Sequence, residues 1–163
     1  MPLTEASHAE TLKQAQAALK AGRFDEALRL AETLLVETSE DEDALYMAAV
    51  AARYAGAFEI AGTHLATLKR TAPDFGRAYQ EDGHLLKAQD ENDRALKAYQ
   101  LATRYNPVLT ASWQAQIDLH ERRGERGLAS AARAQLIRQQ SLTQPLLAAT
   151  NHLHEGRIFR AEE

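Results

Sequence analysis

A chain of 163 residues with a net charge of −4 has no general electrostatic attraction for nucleic acid. It contains no cysteine, which excludes disulfides, thiolate nucleophiles and every cysteine-based metal site, and fits a reducing, cytoplasmic location. Apolar residues make up 45% and aromatics only 6%, with alanine supplying much of the apolar share, a composition suited to helices that approach closely.

In chain order, Met1-Pro2-Leu3-Thr4-Glu5 lacks the basic flank and apolar core of a signal peptide. No later stretch approaches the roughly 20 apolar residues needed to span a bilayer. The first helical pair is expected within residues 8–41, with Ala15 and Ala18 on its first helix and Ala27, Ala31 and Leu34 on its second. Ala21-Gly22-Arg23-Phe24 makes the turn between them, and Asp25-Glu26 opens the second helix, where the macrodipole favours carboxylates. The acidic run Glu40-Asp41-Glu42-Asp43 opens the next helix for the same reason. A second pair occupies residues 42–75: Leu45, Ala49 and Ala52, the turn Ala55-Gly56-Ala57-Phe58, then Ala61, Leu65, Leu68 and the stop at Pro73.

The third pair, residues 76–109, has the clearest pattern. Tyr79, Gly83 and Leu86 form one helical stripe, and Ala95, Tyr99 and Ala102 form another across a turn at Gln89 to Glu91. Gly83 and Ala95 leave room where the helices cross, Tyr79 and Tyr99 are expected to fill the ends, and Pro107 stops the second helix. In the fourth pair, residues 110–141, Trp113, Gly124 and Ala129 keep the pattern. Ile117, His120 and Arg133 depart from it, so these two helices are expected to be splayed or shifted. Arg122, Arg123, Arg126, Arg133 and Arg138 make this pair locally basic. The fifth, residues 142–163, runs from Pro145 through Leu146, Leu147, Ala149 and Leu153 to Gly156 and is incomplete, so a longer protein is expected to continue past Glu163.

The five turn residues stand at 22, 56, 90, 124 and 156, spaced by 34 and finally by 32, and an alanine follows each by five. Such a fixed period marks a stacked-repeat array. With its order of aromatic, small residue, aromatic (here Leu86), alanine, aromatic, alanine and proline, the pattern resembles the tetratricopeptide repeat (TPR) over roughly residues 8–163. That resemblance implies one all-α array: a right-handed superhelical TPR solenoid of antiparallel helix pairs, about ten helices in all. Pro73-Asp74-Phe75-Gly76-Arg77-Ala78, Gly83-His84-Leu85-Leu86 and Leu153-His154-Glu155-Gly156-Arg157 are also similar to the repeat region preceding a sulfotransferase domain in many bacterial proteins. This second resemblance implies an acceptor-recognition region whose catalytic domain, using an activated sulfate nucleotide, lies beyond Glu163.

No catalytic constellation is present in the sequence. There is no phosphate-binding glycine loop and no nucleophile elbow. His120-Glu121 and His154-Glu155 lack the second histidine of a zinc helix, since Gly124 and Ile158 stand in its place. His152 and His154 point in different directions on one helix, and all six histidines are read as surface or groove residues. The segment is therefore read as non-enzymatic, with no cofactor and no metal.

A binding face is better supported. In the resembled family the first helix of each pair lines the concave side. The stripe beside its packing stripe is Tyr46, Val50 and Arg53 with Tyr54 in the second pair. In the third it is Arg77, Gln80, His84 and Lys87, and in the fourth Gln114, Asp118, Glu121 and Arg122. The expected peptide-binding residues are thus Tyr46, Arg53, Tyr54, Arg77, Gln80, His84, Lys87, Gln114 and Arg122. Their basic centre favours an acidic or carboxylate-bearing protein or peptide. The chaperone-tail clamp of some TPR domains is excluded, because Leu12, Gln16, Met47 and Glu81 occupy its lysine, asparagine and second basic places. Nucleic acid is excluded too, since Asp118, Glu121 and Glu125 interrupt the basic patch. A homodimer through the apolar edge of the incomplete fifth pair (Leu146, Leu147, Leu153, Ile158) is the structural alternative.

Overall fold

A computed structural model describes residues 4–142, and every regular element among them is a helix. In order these are α1 (Glu5–Lys20), α2 (Phe24–Glu37), α3 (Glu42–Tyr54), α4 (Phe58–Thr71), α5 (Gly76–Ala88), α6 (Asn92–Tyr105), α7 (Thr110–Arg122) and α8 (Arg126–Gln140). They form four antiparallel hairpins, one for each complete repeat in the sequence. The fifth pair, and with it the ninth and tenth expected helices and the dimer edge, lies outside the described residues. The chain divides between Pro73 and Asp74 into two compact units, α1–α4 and α5–α8, each described here by itself.

All four turns are built alike. Gly22, Gly56 and Gly124 have φ of 72°, 79° and 73°, and Asp90 takes the same left-handed conformation at 62°. The next residue's N–H reaches back to the carbonyl five positions earlier: Arg23 to Ala18 at 2.9 Å, Ala57 to Ala52 at 2.8 Å, Glu91 to Leu86 at 2.9 Å and Glu125 to His120 at 2.9 Å. This is the Schellman closure, which satisfies orphan carbonyls and turns the chain sharply. The period in the sequence is therefore a period in backbone conformation.

In the first unit, Ala18, Ala27 and Ala51 meet where α1, α2 and α3 converge, with Leu19 and Leu28 packed against them. Asp41 caps α3 by accepting from the Ala44 N–H at 2.8 Å, and its other oxygen meets His8 Nε2 of α1 at 3.0 Å. The acidic run thus opens α3 as its sequence implied, with Glu42 and Asp43 in the first turn.

In the second unit, Tyr99 is fully buried and packs directly against Gly83. A Cβ on Gly83 would sit 2.7 to 2.9 Å from three atoms of that ring. Tyr99 therefore occupies the helix crossing itself rather than its end, a correction to the sequence reading: the ring fills the space that the missing Cβ leaves. Gly76 plays the same part at the other end of α5, where a Cβ would meet Asn106 Cβ at 2.8 Å. Tyr79 does lie toward an end, its ring 5.2 Å from that of Tyr105.

The positions equivalent to Gly83 and Tyr99 are Ala15 and Ala31, Ala49 and Leu65, and Ile117 and Arg133. In the fourth pair the bulk has moved to the first helix: Ile117 is buried with Ala132 and Leu136, and Trp113 packs against them. Arg133 leaves the interface and pairs with Glu121 on the surface. At these positions volume is exchanged between the facing helices, as close packing demands.

Candidate functional site

Tight packing on both sides of α3 determines which of its residues can meet a ligand. From Ala44 onward, Ala44, Leu45, Met47, Ala48, Ala49, Ala51 and Ala52 are all buried. Tyr46, Val50, Arg53 and Tyr54 are the remaining positions, and their spacing of four, three and one places them on one side of the helix. The sequence-derived residues of the second repeat, Tyr46, Arg53 and Tyr54, therefore all fall on this strip. On α1 the equivalent positions are Leu12, Gln16 and Leu19, each half-buried.

Tyr54 is 56% exposed, yet it is held in place. Its ring stacks on Phe24, the first residue of α2, with centroids 4.7 Å apart and planes within 11°. The Arg53 guanidinium carbon lies 4.1 Å from the Tyr54 ring centre. An aromatic at the entry to α2 thus supports an aromatic and a cation at the exit of α3. Spacing in the sequence assigns Phe24 only to a turn and gives no sign of its support of Tyr54.

The second unit presents a different surface. Gln80 Oε1 accepts from Ser112 Oγ at 2.8 Å, joining α5 to α7. His84 Nδ1 lies 2.8 Å from the Tyr99 hydroxyl, with the two rings edge to face. Both residues were expected as ligand contacts, and both are engaged in holding helices together. Arg77 and Lys87 are half-buried on α5, whereas Gln114 and Arg122 are exposed on α7. Gln114 Nε2 donates to Asp118 at 2.9 Å. Behind this surface, buried Gln116 donates to the Tyr99 carbonyl at 3.1 Å and to Thr103 Oγ1 at 3.0 Å, tying α7 to α6.

His120 is only 5% exposed, with Nδ1 2.6 Å from Glu125 Oε2. This corrects the reading of all histidines as surface or groove residues. His120 stands where the third repeat has Leu86, and its ring spans the α7–α8 turn. Burial raises the pKa of Tyr79 above the usual tyrosine value, helped by the nearby Tyr105, Asp74 and Asp82. Among the described residues no group of three histidine or carboxylate side chains could hold a metal ion. Nor is any of their helices long and apolar enough to cross a membrane.

No protein-family model matches the chain, and no curated protein matches it in sequence. Solved structures do. The crystal structure of MamA superposes with a TM-score of 0.73 at 18% identity, over 82% of this chain and 78% of that one. A thermophilic TPR protein of Thermus thermophilus, TTC0263, gives 0.70 at 22% identity, over 92% of this chain and 84% of that one. A chain of the Naa15/Naa10 complex bound to HypK-THB gives 0.71 at 18% identity, covering 90% of this chain but only 22% of that one. These likenesses show the fold: the chain has the all-α helical-repeat architecture of a TPR protein.

Proposed function

We propose that this chain is a non-catalytic protein–protein interaction module that takes a peptide or helix on the face of its first-position helices. The observation that carries the reading is the α3 strip. Seven of its neighbours are packed away, and the residues not fully buried are two tyrosines, a valine and an arginine, of which Tyr54 is the exposed one. Such residues anchor partners well, because they offer large contact area at low entropic cost together with directional hydrogen bonds. The second unit supports the same reading through Arg77, Lys87, Gln114 and Arg122, whereas Gln80 and His84 are bonded to Ser112 and Tyr99.

The test is to pan a displayed random-peptide library against the protein and measure the affinity of the enriched sequences for the wild type and for Tyr46→Ala. Saturable binders weakened at least tenfold by the substitution support the module. An absence of binders, or binders indifferent to Tyr46→Ala, would count against it.

The alternative, an acceptor-recognition region of a bacterial sulfotransferase, rests on sequence resemblance. Packing explains much of the motif behind it: Phe75 is fully buried, Gly76 and Gly83 each admit a neighbouring side chain, and His84 binds Tyr99. Sulfate transfer from the activated nucleotide by a longer parent protein would be its test.

A further inference from the structure

Leu128 is 55% exposed and Ile137 60% exposed, so α8 is the one helix among those described that leaves two large apolar side chains in solvent. Ala131 and Ala134, between them, are exposed as well. The four stand three apart and form one oblique ridge over the helix surface, high at both ends and low in the middle. The equivalent row on α6 is Arg94, Lys97, Gln100 and Thr103, and neither α2 nor α4 has an apolar residue at both ends of it. The ridge is therefore a departure from the repeat, not a product of it. Its charge is one-sided too, since α8 carries three arginines and no carboxylate. Arg133 pairs with Glu121, whereas Arg126 and Arg138 are exposed at the two ends of the ridge and form no ion pair among the described residues.

We propose that this ridge is a second docking surface, which takes an amphipathic helix of a partner protein with carboxylates on both sides of its apolar stripe. At about 1.5 Å per residue, Leu128 and Ile137 lie about 13 Å apart along the axis of α8. A helix with its side chains is about 10–12 Å across, so one laid over Ala131 and Ala134 fits between the two larger residues and touches both. An extended strand, which occupies about 5 Å in a sheet, leaves that span unfilled. The alanines let the two backbones approach closely, and the apolar contact supplies affinity. Arg126 and Arg138 then meet the carboxylates, which adds selectivity and a faster encounter more than strength. The row is alike from both ends, so the direction of the partner's chain plays no part. A second α8 is the wrong occupant, because it would set arginines against arginines. The ridge shares no residue with the α3 strip, so the two readings stand or fall separately.

The experiment uses the full chain, which has no cysteine of its own, so the thiol introduced by Ala134→Cys can be labelled alone. A maleimide should react there as fast as with Ala66→Cys, at the equivalent exposed position on α4. Slow labelling at every protein concentration would mean that the rest of the chain covers the ridge. Slow labelling only at high concentration would mean that a second copy does, and either result overturns the proposal. Two labelled synthetic helices with one leucine stripe, flanked by glutamates or by lysines, are then compared by fluorescence anisotropy. The glutamate helix should bind at least tenfold tighter. Arg126→Glu with Arg138→Glu should reverse that order. Ala131→Gln with Ala134→Gln, which fills the low middle of the ridge, should weaken the glutamate helix at least tenfold. Circular dichroism melts confirm that each variant is folded. An absence of binding overturns the proposal, as does an order unchanged by the arginine pair. So does affinity lost through Tyr46→Ala instead of through the alanine pair, a result that would still favour the α3 strip.

Discussion

The Tyr99 ring lies against Gly83 so closely that a single added carbon on the glycine would collide with it at 2.7 Å. The contact closes the α5–α6 pair, and it is one solution of four to the same packing problem. The second repeat uses Ala49 with Leu65, and the fourth uses Ile117 opposite an arginine that has left the interface.

Gly83→Ala should therefore destabilise the protein by about 1–3 kcal/mol, the usual cost of overpacking, although alanine favours a helix by about 1 kcal/mol over glycine. Adding Tyr99→Leu recreates the Ala–Leu pairing of the second repeat and should recover part of the loss. Urea unfolding of both single variants and the double variant measures the coupling. Additive effects would show that the two positions are energetically independent.

Asp90 is the only non-glycine with positive φ among the described residues. A side chain in that conformation costs roughly 1–2 kcal/mol, which glycine avoids at some cost in chain entropy. Asp90→Gly is expected to raise stability by about 0.5–1 kcal/mol, while Gly56→Ala should lower it by about 1 kcal/mol, from backbone strain alone. No atom lies within 4 Å of the added carbon at Gly56, so a loss there cannot come from crowding. Thermal melts of the two variants should move in opposite directions.

These turns also show what the sequence made legible. The residues at 22, 56, 90 and 124 were singled out by spacing alone, and all four adopt the left-handed conformation. The place of the half-buried strip Tyr46, Val50 and Arg53 on α3 also follows from the sequence, because a stripe flanked by alanines on both sides has only one face left unpacked. Partners across helices were not legible. The His84–Tyr99 bond joins residues 15 apart, and the Gln80–Ser112 bond joins residues 32 apart. A repeat pattern gives each residue its place but does not say which neighbour is large enough or polar enough to reach it. The same limit hid the support of Tyr54 by Phe24.

Asp41 has two tasks, capping α3 through the Ala44 N–H and meeting His8 of α1. Asp41→Ala should cost about 1–2 kcal/mol, at the upper end for a helix cap. Asp41→Ser, which can cap but is too short to keep both contacts, should recover most of the helical loss. Chemical unfolding of the two variants separates the tasks, and equal stability of Asp41→Ala and wild type would refute both.

Tyr79 gives a pH dependence. Its folded pKa is raised, chiefly by burial, so the folded state holds the phenolic proton more tightly than the unfolded chain does. The resulting stability is complete below the ordinary tyrosine value of about 10 and is lost as pH rises through the folded value. Tyr79→Phe should therefore lose less stability than wild type on going to alkaline pH. Tyrosinate absorbance during the titration should show the late-ionising group disappear in the variant.

The most direct test of the central claim is the amide chemical-shift map of the protein on adding the best panned peptide. Shifts concentrated at Tyr46, Val50, Arg53 and Tyr54 are the expected result, with smaller ones on α1 at Leu12 and Gln16. Saturable binding that leaves these residues unmoved, and shifts the solvent side of α2 or α4 instead, would contradict the account.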